Sequence, residues 1–141
     1  LLLDGIQDPG NLGTILRTAD ALAVPVVLLP GCADVWNPKV VRASMGAAFR
    51  AVPVSMTREA AVASCRKNNV RLLATALRAD AHDLREETLS QTAVIIGSEG
   101  QGVCRELLDA ADGTVIIPMQ SHCESLNAAV AATIVMWQMR R

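Results

Sequence analysis

Residues 94–103 read VIIGSEGQGV, in which branched apolar side chains with no polar alternation run straight into a glycine-rich polar loop. A strand with one wet face alternates polar and apolar residues, whereas a strand covered on both faces does not. VVLL at 26–29 and TVII at 114–117 have the same character. Working outward from these runs, short apolar segments alternate with helical periodicity along the whole chain. Strands are predicted at Leu1–Leu3, Val26–Leu29, Ala51–Val54, Arg71–Ala76, Val94–Gly97 and Thr114–Ile117. Helices are predicted at Asn11–Ala23, Lys39–Ala47, Arg58–Asn68, Cys104–Ala111 and Leu126–Met139. This order implies an α/β fold, a mainly parallel sheet with helices on both faces. Leu77–Gln91 is charged and poorly periodic, and reads as a loop with a helical turn. No linker or internal repeat intervenes, so residues 1–141 read as a single domain. The chain opens on LLL with no methionine, which suggests the C-terminal part of a longer protein.

Composition narrows the function. Thirteen Lys+Arg against fourteen Asp+Glu leave a net charge of −1, too little for a bulk field that attracts a polyanion. Eleven of the thirteen cations are arginines, which favours specific contacts to phosphate or carboxylate. With Trp36, Phe49 and Trp137 as the aromatics, no tyrosine and almost no aromatic side chain expected at the surface, base-stacking platforms are not expected. The cysteines at 32, 65, 104 and 123 form no CxxC pair. Cys123 follows His122, but adjacent residues do not easily reach one ion, so the thiols read as free in a reducing compartment and no metal site is expected. No signal peptide is visible, and the uncharged helical stretch Ser125–Met139 is too short to span a bilayer. A soluble cytoplasmic protein is expected.

Three loops carry polar residues that packing does not explain: DPGNLGTILR at 8–17, GSEGQG at 97–102 and PMQSHCESLN at 118–127. Each follows a predicted strand, and ligands of open α/β sheets sit beyond the carboxyl ends of the strands, so the three loops should form one cleft. Taken singly, each has a plain structural reading. Asp8, Pro9 or Asn11 can start a helix, and Arg17 can pair with Asp20 on a helix surface. The glycines at 97, 100 and 102 can serve a tight strand-to-helix turn; they read GxxGxG, not the GxGxxG of a dinucleotide site. Glu99 among them would repel a phosphate and suits a hydroxyl or a cation. Ser125 can cap the last helix, which would leave Asn127 inside its first turn. Ala128, Ala129, Ala131 and Ala132 keep that helix slim enough for a close helix–helix interface.

Together NLGTILRTA, IIGSEGQGV and IIPMQSHCESLNAAVA resemble, in order and spacing, the three signature motifs of the SpoU/TrmH family of RNA 2′-O-ribose methyltransferases in the SPOUT superfamily. Ala128 and Ala129 stand where a valine and a serine are usual. The resemblance implies a C-terminal trefoil knot, an exception to the near absence of knots. It also implies a bent S-adenosylmethionine (SAM) cofactor, no metal, and a homodimer whose active site draws on both protomers, with the Ala128–Ala132 face expected to carry the contact between chains. Carried onto this sequence, Gly97, Ile117 and Leu126 bind the cofactor, with Thr75, Ala76, Leu77, Gly102 and Met119 adding to the pocket. Asn11, Arg17, Glu99, Ser125 and Asn127 form the catalytic cluster, with Arg17 at its centre. The implied reaction is methyl transfer to a ribose 2′-OH of rRNA or tRNA, with no DNA and no membrane as partner. The alternatives are a nucleotide-dependent oxidoreductase and a catalytically inactive knotted RNA-binding or assembly module. Arg17, Arg42, Arg50 and Arg105 are the expected RNA contacts. The chain is expected to bind SAM well and RNA poorly, with specificity in a further N-terminal part.

Overall fold

The computed structural model describes residues 1–123 and 125–141. Seven strands make one sheet: β1 (Leu2–Asp4), β2 (Val27–Leu28), β3 (Val54–Ser55), β4 (Arg71–Thr75), β5 (His82–Asp83), β6 (Thr92–Gly97) and β7 (Gly113–Ile116). Their order is β3-β2-β1-β6-β4-β7-β5, and each neighbouring pair is parallel. The helices are α1 (Pro9–Leu22), α2 (Pro38–Ala43), α3 (Ala47–Arg50), α4 (Arg58–Lys67), α5 (Arg105–Ala110) and α6 (Ala128–Met139).

The lack of alternation in the strands has its expected cause. Val94 and Ile96 of β6 join Leu3, Leu73 and Val115 in a core beneath α1, α2 and α6. Ala93 and Ile95 join Leu2, Leu72 and Ala74 beneath α4 and α5, where Ala61, Cys65 and Leu107 meet them. Both faces of the sheet are therefore buried, each worth about 1.5–3 kcal/mol per fully buried Leu or Ile.

Local chemistry sets the elements. The Asp8 carboxylate accepts the Asn11 N–H at 2.8 Å and Pro9 opens α1, so the helix starts two residues before Asn11, and Asn11 is not its cap. Gly13 lets α1 touch α2: a Cβ there would lie 2.5 Å from Ala43 Cβ and 2.6 Å from Val40 O. The predicted helix Lys39–Ala47 is two helices, because Met45 and Gly46 take positive φ values of 51° and 87°. Leu77–Gln91 contains the two-residue edge strand β5 before a 3₁₀ turn at Leu84–Glu86, a strand too short for periodicity to reveal. Of Ala51–Val54 only Val54 pairs, joined by Ser55, because β2 offers just two residues to pair with.

Two further expectations are corrected. Ala128, Ala129 and Ala132 are buried within this protomer's own core, so the alanine face brings α6 onto α1 and is not available to a second chain. All three aromatic side chains are exposed: Trp36 at 54%, Phe49 at 64% and Trp137 at 65%.

A half-buried arginine paired with a buried carboxylate fixes the edge on which the loops sit. Asp4, at the end of β1, is buried and accepts Arg58 Nε and Nη2 at 3.0 and 2.8 Å and the Cys104 N–H at 2.9 Å. It thereby ties the starts of α4 and α5 to the strand end. Its hydrogen bonds raise the pKa of Arg58 further above the ordinary value, and burial pushes the Cys104 thiol up.

Candidate active site

Beyond the carboxyl ends of β6, β4 and β7 lies a cavity of about 480 Å³. Thr75, Ala76 and Leu77 leave β4 along one wall, and Gly97 and Gly102 bound the loop after β6. Ile117 and Met119 follow β7, and Leu126 precedes α6. All eight positions implied for the cofactor thus line a single cavity. Ile96, Val115 and Ile116, which are not among the positions implied for the cofactor, add to its apolar wall; they were missed because strand-end residues look like core.

The glycines shape this wall. A Cβ on Gly97 would overlap the backbone of Gly102 and Val103, so the loop folds back directly on the strand end. Ser98 and Gly102 close that loop by an antiparallel bridge, with the Gly102 N–H donating to Ser98 O at 2.8 Å and the Ser98 N–H to Gly102 O at 3.2 Å. Gly102 takes φ +68°, the left-handed region that favours glycine. The result is a tight turn that holds Glu99 out over the edge of the cavity.

Glu99 is the hub of a polar cluster. Its Oε1 accepts Asn11 Nδ2 at 2.9 Å, Asn127 Nδ2 at 3.0 Å and the Ala128 N–H at 3.1 Å. Asn127 Nδ2 also donates to Asn11 Oδ1 at 3.0 Å. The carboxylate sits at the N-terminus of α6, where the helix dipole favours negative charge. Asn127 is the cap of α6, its Oδ1 accepting the N–H groups of Ala129 and Val130 at 2.9 and 3.2 Å. This corrects the reading of Ser125 as cap: the helix begins at Ala128, and Ser125 is exposed and lines the cavity. The residues of three distant loops therefore meet through one oxygen, and among the described residues Oε2 of Glu99 has no hydrogen-bond partner.

Arg17 stands apart from this cluster. It lies six residues after Asn11, about 120° around the helix, and is exposed beside Gly10, Thr14 and Ala21 on the outer face of α1. Asp20 does not pair with it; Arg50 donates to Asp20 Oδ2 from Nε and Nη2 at 2.9 and 2.6 Å. Arg105 faces Asp109 at 3.6 Å on α5, on the opposite side of the sheet from α1. The four arginines expected to meet RNA do not converge within one protomer. Among the described residues no group of His, Cys, Asp and Glu could hold a metal ion, and no helix is long and apolar enough to cross a membrane.

The comparisons with known proteins bear on the same motifs. The profile of the SpoU rRNA Methylase family matches residues 1–137. The chain is similar to the 23S rRNA (guanosine(2553)-2′-O)-methyltransferase RlmP of Bacillus subtilis, 38% identical over 99% of the chain and 57% of that protein. An AdoMet-bound rRNA methyltransferase from Sinorhizobium meliloti superposes with a TM-score of 0.92 at 34% identity, over 99% of this chain and 54% of that one. The SpoU methyltransferase AviRb of Streptomyces viridochromogenes, in complex with AdoMet, gives 0.87 at 32% identity, over 99% and 58%. The chain thus spans little more than half the length of these relatives. Since the profile runs through all three loops and the solved relatives superpose along the same sheet, the chain belongs to the SpoU rRNA methylase family.

Proposed function

We propose that the chain is the catalytic part of a SAM-dependent methyltransferase acting on a ribose 2′-OH of rRNA or tRNA in the cytoplasm. One observation carries the reading: the described lining residues of the cavity include no basic side chain, and Glu99 at the rim is the one charged group among them. A pyrophosphate cofactor would meet the Glu99 carboxylate there and no balancing cation among the described residues. An adenosine joined to a sulfonium suits such a pocket, with its apolar wall of Leu77, Ile96, Ile117 and Leu126 and the backbone groups of three strand ends. The relatives that bind AdoMet or act on a 2′-OH of 23S rRNA point the same way.

Thr75, Ala76, Leu77, Gly97, Gly102, Ile117, Met119 and Leu126 would hold the cofactor, which supplies an activated methyl group on a good leaving group. The protein's own task is to align the hydroxyl and stabilise charge as its proton passes to water. Glu99 Oε2 accepts a ribose hydroxyl, while Asn11, Ser125 and Asn127 fix the ribose at the cavity mouth. A guanidinium stays protonated, so Arg17 serves as a cation for the adjoining phosphate and the incipient 2′-oxyanion and not as a base.

Arg17 reaches such a site from a second protomer. The outer faces of the packed helices α1 and α6 carry Gly10, Thr14, Arg17 and Ala21 on one and Val130, Ile134 and Trp137 on the other, all exposed. A homodimer through this face buries the apolar stripe and brings each Arg17 to the other subunit's cleft. The trefoil knot belongs to the same proposal: after β7 the chain returns across the ends of β4 and β6 to α6, which packs on α1, and this path suits a knot.

Titration calorimetry tests the cofactor directly. Micromolar binding of SAM or S-adenosylhomocysteine is expected, with no heat from NAD or ATP. Heat with NAD and none with SAM would reject the reading.

A further inference from the structure

Three hollows stand side by side along the carboxyl edge of the sheet. The cofactor cavity shares Ser98, Glu99 and Ala128 with a second hollow of about 500 Å³, which contains Asn11 and Arg58. The second shares Pro30 and Gly31 with a third of about 610 Å³, between the segment after β2 and the segment around β3. Trp36 walls the third hollow and is 54% exposed. The ring of Phe49, 64% exposed, lies with its centroid 5.7 Å away at 39°, so the pair is tilted and not stacked face to face.

The charges around this pair are few. Lys39 and Arg42 of α2, the helix that begins just after Trp36, are both exposed. Asp34 lines the hollow, and its Oδ1 accepts the Trp36 N–H at 3.0 Å. Arg50, next to Phe49, is committed to Asp20. Among the described residues Lys39 and Arg42 make no ion pair, and Asp34 is the one acid lining the hollow. Aromatic faces flanked by cations suit an unpaired nucleotide, whose base stacks while its phosphate meets the charge. The position agrees, because the middle hollow holds the Glu99–Asn11 end of the polar cluster, and a strand whose ribose sits there continues into the third.

Resting on the methyltransferase reading, we infer that the Trp36 hollow seats an unpaired nucleotide flanking the methylated one, its base against Trp36 and its phosphate toward Lys39 and Arg42. The platform that composition made unlooked-for is thus built from two of the three aromatic residues.

The test uses a Trp137→Phe background, which leaves Trp36 as the sole tryptophan. The probe is a single-stranded oligoadenylate of about 12 nucleotides at low salt, compared with a duplex of the same length. Saturable quenching of Trp36 emission by the single strand, and much less by the duplex, is expected. Trp36→Ala should bind the labelled strand about tenfold more weakly and Trp36→Phe should fall between, both with unchanged SAM affinity and melting temperature. Binding of the strand with Trp36 emission unmoved overturns the inference, as does no binding at millimolar strand. A change in oligomeric state on Trp36→Ala, read by light scattering, overturns it in favour of an interface between copies. The two readings fail separately: absence of SAM binding rejects the methyltransferase, whereas SAM binding with a silent Trp36 rejects only this subsite.

Discussion

Replacing Arg17 with alanine should lower methyl transfer by about 10²–10⁴-fold, the range for one positioned catalytic group. Folding and SAM affinity should hardly change, because Arg17 is exposed on α1 and is absent from the cavity lining. Arg17→Lys keeps the charge but loses the planar fork, and should recover only part of the rate. The shared site adds a sharper outcome. Arg17→Ala chains mixed with Glu99→Ala chains should regain about a quarter of wild-type activity, because half of the dimers are mixed and each mixed dimer holds one complete site. If Arg17 served the cleft of its own chain, no mixture would recover activity. A fully active Arg17→Ala protein would return the residue to an ordinary surface role.

Gly97→Ala is expected to be the most damaging small substitution. Its Cβ would overlap the backbone carbon of Gly102 and the nitrogen of Val103. These are backbone atoms, so relief requires moving the whole 98–102 turn, which carries Glu99 and one wall of the cavity. Overpacking of this kind costs about 1–3 kcal/mol, equivalent to roughly 3–10 °C in Tm for a chain of this size. SAM affinity should fall at least about tenfold, since the displaced turn also carries the wall that the cofactor needs. Gly100→Ala is the control, because nothing lies within 4 Å of a Cβ there. Equal melting and equal SAM affinity for Gly97→Ala and the unsubstituted chain would show that the turn has slack that the geometry does not suggest.

Much of this was legible from residue order. The unalternating VIIG and TVII runs required strands covered on both faces, and both cores are there, with Val94 and Ile96 in one and Ala93 and Ile95 in the other. The convergence of three loops followed from the rule for carboxyl ends, and Asn11, Glu99 and Asn127 do meet. The spacing of these residues could not say which one caps α6. Ser125 and Asn127 are both good caps, and the choice fell to Asn127 because its Nδ2 is also held by Glu99 and Asn11. The alanines were misread as an outer seam because a slim helix face looks the same whether it packs on its own α1 or on a second chain. The break at Met45–Gly46 was hidden because apolar periodicity continues through the kink into Ala47 and Ala48. Exposure of Trp36 and Phe49 could not be read at all, since a large aromatic side chain in sequence reads as core.

Methylation at the ribose leaves a chemical mark that one assay reads. The protein is incubated with methyl-labelled SAM and bulk bacterial RNA in excess, and the RNA is then hydrolysed in alkali. A 2′-O-methyl group removes the nucleophile that alkaline cleavage needs, so the label should survive in alkali-resistant dinucleotides. Label in ordinary mononucleotides, which marks a methylated base, would contradict the account, as would bound SAM with no transfer at all.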